Sequence, residues 1–179
     1  SSGAGKSTLM NIMLGLYVPQ RGEVRVDGVK IDDANRRMWQ NSVGYVPQNV
    51  FILDATLAEN VALGDDTGHI DRGRVMKALE MASLGRFVGT LADGIDTMIG
   101  EDGSRVSGGE RQRIGIARAL YRNPDVLFFD EATSALDRDT ERSVNDSIER
   151  LSADNRDLTI IVIAHRETSL GYCDRKIDL

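Results

Sequence analysis

The 179-residue sequence holds one cysteine, Cys173, three prolines and two histidines, and aromatic side chains make up only 5% of it. A single thiol excludes an internal disulfide framework and fits a reducing compartment. The longest apolar run, Leu158 to Ala164, falls far short of the roughly 20 residues that cross a bilayer. Basic charge is also in deficit: 22 Lys and Arg against 28 Asp and Glu give a net charge of −6 and a pI near 5.0. That balance speaks against a general nucleic-acid surface. No signal-peptide pattern, internal repeat or low-complexity tract is visible. What is present, 41% hydrophobic and 28% charged residues, suits one globular domain with a real core.

Along the chain, KSTLMNIMLGL places Leu9, Ile12, Met13 and Leu16 at helical spacing, with Gly15 and Pro19 stopping the helix. GEVRVDGVKI alternates Val24 and Val26 with charges and turns at Asp27-Gly28, a preferred hairpin pair. SVGYVPQ predicts a short strand ended by Pro47. Thr56 to about Ala92 reads as mostly helical, and SGGERQRIGIARALY as the start of a long helix. DVLFFDE is an apolar strand ending in two acids. DRDTERSVNDSIERL is an amphipathic helix with Val144, Ile148 and Leu151 on one stripe. LTIIVIAH is a further apolar strand, and DRKIDL reads as a final one. Apolar strands alternating with helices indicate an α/β fold with a parallel sheet covered on both faces.

Three stretches carry chemistry. Gly3 to Thr8 reads as the second half of a phosphate-binding loop. Its glycines let backbone N–H groups approach phosphate oxygens, Lys6 adds a positive charge, Ser7 can bind Mg²⁺, and the helix dipole points at the anion. Taken alone, a glycine-rich helix start of no consequence is the alternative. Asp130 ends the apolar strand, where it can hold Mg²⁺ through water, and Glu131 can orient or deprotonate an attacking water. An acidic strand-end turn is the alternative there. Ser107, Gly108 and Gly109 open a helix with a hydroxyl and bare N–H groups, a second anion site or an ordinary cap. Two phosphate sites in one domain serve different nucleotides, or one nucleotide between two copies. His165 ends an apolar strand, where it can donate to a phosphate oxygen; a core histidine is the alternative. His69 reads as solvated, Cys173 as a small buried hydrophobe, Trp39 and Tyr45 as packing residues, and the face around Arg111 and Arg113 as a solvated helix side.

SSGAGKST, YVPQ, VSGGERQR, VLFFDEATSALD and IAHR stand in the order and rough spacing of the nucleotide-binding domain of the ATP-binding cassette (ABC) family, which the sequence resembles over nearly its whole length. The resemblance implies a P-loop NTPase fold: a mostly parallel RecA-like sheet flanked by helices, an inserted helical subdomain and a short antiparallel portion. It implies one domain over 1–179, with 1–50 and 122–179 as ATP-binding core and 51–121 as the helical, signature-bearing part. Ser2, Gly3, Ala4, Gly5, Lys6, Ser7 and Thr8 resemble the Walker A loop. Asp130 resembles the metal-side acid and Glu131 the catalytic base. Gln48 resembles the glutamine that touches Mg²⁺ and the attacking water, and marks the region facing a transmembrane partner. Ser107, Gly108, Gly109 and Glu110 resemble the signature motif, Ser134 to Asp137 the D-loop, and His165 the switch histidine at the γ-phosphate. Glu110 stands where the family commonly has glutamine; a carboxylate there suits a first helical turn but burdens closure on a polyphosphate if it faces one.

The implied unit is a head-to-tail dimer with two ATPs and Mg²⁺ at its interface, driving transport from the cytoplasmic side of a membrane, with no nucleic-acid partner. The text after Gln48 is most similar to exporter-type half-transporters, closest to lipid or saccharide flippases, whose membrane domain is fused upstream. Soluble repair or ribosome-associated members are the competing reading. A long coiled coil is missing between the loop and the signature, and one cassette is present where the ribosome-associated members carry two. A non-hydrolysing cassette is disfavoured by the presence of Glu131 and His165. A chain opening inside its own phosphate loop is expected to be a fragment lacking the strand beneath that loop, and to bind ATP poorly by itself.

Overall fold

The structure, a computed structural model, describes residues 5–100, 106–134, 136–164, 171 and 173–177. Three parallel strands, β3 (Val43–Val46), β4 (Val126–Asp130) and β5 (Thr159–Ile163), form the main sheet in the order β3-β4-β5. Their register aligns Val46 with Phe129 and Asp130 with Ile163. The carboxyl ends of all three strands therefore reach one edge together. A separate antiparallel pair, β1 (Arg25–Val26) and β2 (Val29–Lys30), turns at Asp27 (φ 49°) and Gly28 (φ 79°). Two successive left-handed residues are what a tight hairpin with the native strand twist requires.

The helices are α1 (Lys6–Met13), α2 (Arg36–Asn41), α3 (Leu57–Val61), α4 (Arg72–Met81), α5 (Gly85–Thr90), α6 (Gly108–Tyr121) and α7 (Arg138–Asp154); α6 packs on β3, and α3, α4 and α7 pack on α6. Strand alternation decides which residues meet which helices. Val46, Leu127 and Phe129 point to one face and join Ile114 and Ala117 of α6, Val144, Ile148 and Leu151 of α7, and Leu57, Val75 and Leu79 of α3 and α4 in one continuous apolar cluster. Phe128 points to the other face and meets Met10, Leu14 and Trp39. There the Trp39 ring stands edge-on to Phe128 at 84° and 6.5 Å, and its indole N–H donates to the Met13 carbonyl at 2.7 Å.

Some expectations shift. The buried stripe of α1 is Met10 and Leu14, four residues apart, whereas Leu9 and Leu16 are 38% and 62% exposed. The reason is where Trp39 and Phe128 sit: Met10 and Leu14 are buried against them, and Met13 packs partly against the same cluster. Helix α2, six residues long and without an apolar period, is an addition that tertiary packing of Trp39 explains. Residues 173–177 carry no strand, and Ile177 is 72% exposed. Cys173 is half-buried, and burial pushes its thiol pKa up. His69 is solvated beside Asp66, as its polar loop implies.

Candidate active site

Helix α1 begins at Gly5, whose φ of 82° and ψ of 9° place it in the left-handed region that glycine occupies freely. Gly5 has no side chain with which to cap, and the first turn holds no acid. The N–H groups at Lys6, Ser7 and Thr8 thus meet no carboxylate of their own turn, which is the electrostatic condition for receiving an anion. Ser2, Gly3 and Ala4 lie outside the described residues, as does His165.

The sheet edge gathers the next group. Asp130 ends β4 on the face shared with Phe128, and Tyr45, aligned with Phe128 one strand away, lies on that face too. The Tyr45 hydroxyl donates to Asp130 Oδ2 at 3.2 Å. Burial and the neighbouring carboxylate, in that order, raise the phenol's pKa. Tyr45 is therefore no packing residue; it is 42% exposed and serves Asp130, because the strand register brings it there. Glu131 follows with φ 49°, a left-handed backbone that costs a non-glycine residue about 1–2 kcal/mol. Its N–H donates to the Ile163 carbonyl at 2.9 Å, so the chain leaves β4 still tied to β5. Strain of this kind clusters at working sites. Gln48, two residues past β3, donates from Nε2 to the Ser134 hydroxyl at 2.9 Å and so joins the loops that follow β3 and β4.

The signature segment is built as a reciprocal cap. Ser107 Oγ accepts from the Glu110 N–H at 3.2 Å, and the Glu110 carboxylate accepts from the Ser107 N–H at 2.7 Å. Glutamine's carbonyl can accept the same bond, which accounts for a carboxylate at this position. Arg113, one turn on, adds a compensating charge next to Glu110; its own pKa is lowered by burial, and its guanidinium reaches Ser143 of α7. That arginine is half-buried against α7 and is not part of a solvated face. The glycines have a second duty. A Cβ on Gly109 would stand 2.6 Å from Thr140 Cγ2, and one on Gly108 3.2 Å from Leu136 Cδ2. The start of α6 is pressed against the start of α7, where Asp137 caps the helix by accepting from the Asp139 and Thr140 N–H groups at 3.2 and 3.0 Å. These bonds, those from Thr140 first, hold the Asp137 carboxyl below its usual pKa.

Asp130 and Ser7 are hard oxygen donors, the kind that suits Mg²⁺ where phosphate supplies further ligands. Among the described residues no group of three or more His, Cys, Asp or Glu side chains can hold a metal by itself. One carboxylate, Asp130, and one hydroxyl, Ser7, are what Mg²⁺ needs when phosphate oxygens and water fill its other positions.

Comparison with known proteins adds the family. The model described as ABC transporter matches residues 1–134. An ATP-dependent lipid A-core flippase of Burkholderia pseudomallei (strain 1710b) is 43% identical over 174 residues, covering 97% of this chain and 28% of the relative. ABC transporter B family member 21 of Arabidopsis thaliana is 38% identical over 173 residues, 97% of this chain and 13% of that one. A solved bacterial Atm1-family ABC exporter with ATP bound superposes with a TM-score of 0.78 at 38% identity, covering 95% of this chain and 29% of that chain. The chain thus spans less than a third of the length of these relatives. The parallel sheet, the P-loop NTPase architecture, the motif set and these matches agree: the chain belongs to the ABC transporter family.

Proposed function

We propose that this chain is the ATP-binding and ATP-hydrolysing motor domain of a membrane exporter, of the type that flips lipid or saccharide cargo. The observation that carries the reading is the gathering of Asp130, Glu131, Gln48 and Ser134 at the carboxyl edge of one parallel sheet, where ligands of open α/β sheets bind. The names of the relatives, a lipid A-core flippase among them, support the exporter side.

In this reading Gly5, Lys6, Ser7 and Thr8, with Ser2, Gly3 and Ala4 before them, hold the β- and γ-phosphates of ATP. Ser7, Asp130 and Gln48 would hold Mg²⁺, which neutralises charge on the phosphate oxygens. Gln48 orients a water and Glu131 takes its proton as the oxygen attacks the γ-phosphorus; the bond to the β-phosphate oxygen breaks, leaving ADP and phosphate. His165 donates to a γ-phosphate oxygen. Ser107, Gly108, Gly109 and Glu110 of a second copy close over the same nucleotide, with Asp137 beside them at the start of α7. Two ATPs then lie at the interface of a head-to-tail dimer, which hydrolysis opens. The core is 1–50 with 122–179, and 51–121 is the signature-bearing part. Among the described residues no helix is long and apolar enough to cross a membrane; the membrane domain belongs to sequence upstream in the same polypeptide, and this domain works on the cytoplasmic side.

The test is Glu131→Gln in the full-length protein. ATP should still bind, hydrolysis should fall by about 10²-fold or more, and an ATP-dependent dimer should accumulate. Hydrolysis at the wild-type rate would remove Glu131 from its role.

A further inference from the structure

Away from the sheet edge, one groove collects charge from three helices. It has a volume of about 720 Å³ and lies between α5, α6 and α7. Arg86 enters it from α5, and Glu110 and Arg113, one turn apart, from α6. Ser143, Asp146 and Arg150 recur at helical spacing and line it from one face of α7. The apolar stripe of that helix, Val144, Ile148 and Leu151, is buried in the main cluster, so the groove takes its polar side.

Arginine stays charged in a protein, so three guanidiniums around one groove repel one another unless something negative lies between them. Negative charge is scarce there. The Glu110 carboxylate is engaged by the Ser107 N–H at 2.7 Å. No ion pair or hydrogen bond joins the side chains of Arg86, Asp146 and Arg150 to any described residue. Arg113 is half-buried, whereas Arg86 and Arg150 stand exposed at the rim. Its Nη2 donates to the Ser143 hydroxyl at 2.5 Å, but its Nε is shut from solvent with no acceptor among the described residues, and burial lowers its pKa. A buried donor left unpaired is a standing cost, and a native structure that keeps one has a reason for it. Nε and Nη2 share one edge of the guanidinium. An oxyanion that takes the place of the Ser143 hydroxyl on that edge bonds both, the two-point geometry that arginine offers phosphate.

We propose that this groove binds a phosphate-type dianion, held by Arg113 within and by Arg86 and Arg150 at the rim, which ties α5 to α7 across the start of α6. The ligand class follows from the donors: planar forks converging from three helices suit a tetrahedral oxyanion, and the volume admits inorganic phosphate or the phosphate end of a small organic molecule. Asp146 limits the affinity, because its carboxylate lines the same space and repels the anion. The site is separate from the phosphate loop at Lys6 and does not rest on the motor-domain reading.

The test is the melting temperature of the full-length protein against sodium phosphate at constant ionic strength. A saturating hydrolysis-resistant ATP analogue with Mg²⁺ keeps the phosphate loop filled. Phosphate should raise the melting temperature saturably, where chloride does not. Replacing both rim residues, Arg86→Gln with Arg150→Gln, leaves the core intact and should weaken phosphate at least ~tenfold, the size of losing charge-assisted hydrogen bonds. Asp146→Asn removes the like charge and should tighten it about threefold, a gain that damage to the fold cannot imitate. Lys77→Gln, a cation outside the groove, should change nothing. Glycerol 3-phosphate beside inorganic phosphate separates the two sources: tighter binding of the ester assigns the site to an organic phosphate, equal or weaker binding to free phosphate. The absence of a saturable response overturns the proposal. So does a response that the double variant or Asp146→Asn leaves unchanged, which puts the anion elsewhere. A Lys77→Gln effect as large as that of the rim variants overturns it too, as general charge screening.

Discussion

The two faces of the three-stranded sheet are built to different depths. On one, Val46, Leu127 and Phe129 lie under α6 and α7 in a cluster that continues unbroken through α3, α4 and α5. On the other, among the described residues, Phe128 meets Met10, Leu14 and Trp39 as buried partners, while Val43, Val126, Ile161 and Ile163 are partly covered. Asp130 and Tyr45 share the side of Phe128, the side on which Met10 of α1 packs. On the deep face α6 is anchored in the larger cluster, and its start at Gly108 and Gly109 is packed against Leu136 and the start of α7.

Truncating each face should measure the difference. Phe129→Ala empties a fully buried site in the larger cluster and should cost about 3–5 kcal/mol, read as a lowered urea midpoint; Met10→Ala in the smaller cluster should cost about 2 kcal/mol. Equal losses would mean that the two faces are equally deep. Gly109→Ala probes where the faces meet the rim. Its methyl has no room against Thr140, and overpacking of this kind should cost about 1–3 kcal/mol while leaving nucleotide binding at the phosphate loop intact. A neutral result would show that α6 and α7 slide apart freely. Glu110 sharpens the comparison further. Glu110→Ala should lose about 1 kcal/mol with the reciprocal cap, whereas Glu110→Gln should stay within about 0.5 kcal/mol, as a side chain that can still accept from the Ser107 N–H. A large loss in the Gln variant would show that the charge, not the cap, matters.

The smallest effect is on Asp137. Its folded pKa lies below the unfolded one, so its capping contribution is present above the unfolded pKa and is lost as pH falls through the folded pKa. Asn caps without titrating. Asp137→Asn should therefore flatten the fall in melting temperature between about pH 5 and about pH 3. Parallel curves for the two proteins would remove the cap from that loss.

Local signals carried the reading a long way. The Asp27-Gly28 hairpin, the strands at 43–46, 126–130 and 159–163, and the helices over 108–121 and 138–154 stand where hydrophobic period and turn residues put them. The reciprocal cap at Ser107 is written in the Ser-x-x-Glu spacing before an apolar-periodic run. Other features have no local signal. Tyr45 serves Asp130 only because β3 and β4 pair in one register, and a slip by one residue would turn it to the opposite face. The ridge of α1 that is buried depends on where Trp39 lies, 26 positions on from Met13. Gly109 looked like bare backbone for a phosphate; its lack of a side chain is also demanded by Thr140, which the sequence keeps 31 positions away.

The sequence by itself determined the family, the strand-end placement of Asp130 and Glu131, and the helix starts at Lys6 and Gly108, because each follows from residue type and spacing over a few neighbours. Only the tertiary structure decided that Gln48 bonds Ser134, that Arg118 grips the Phe51 carbonyl, and that Tyr45 faces Asp130. Those contacts join segments 67 to 86 residues apart. Their existence depends on strand register and on how α6 settles against the sheet, and neither is contained in any short stretch of the chain.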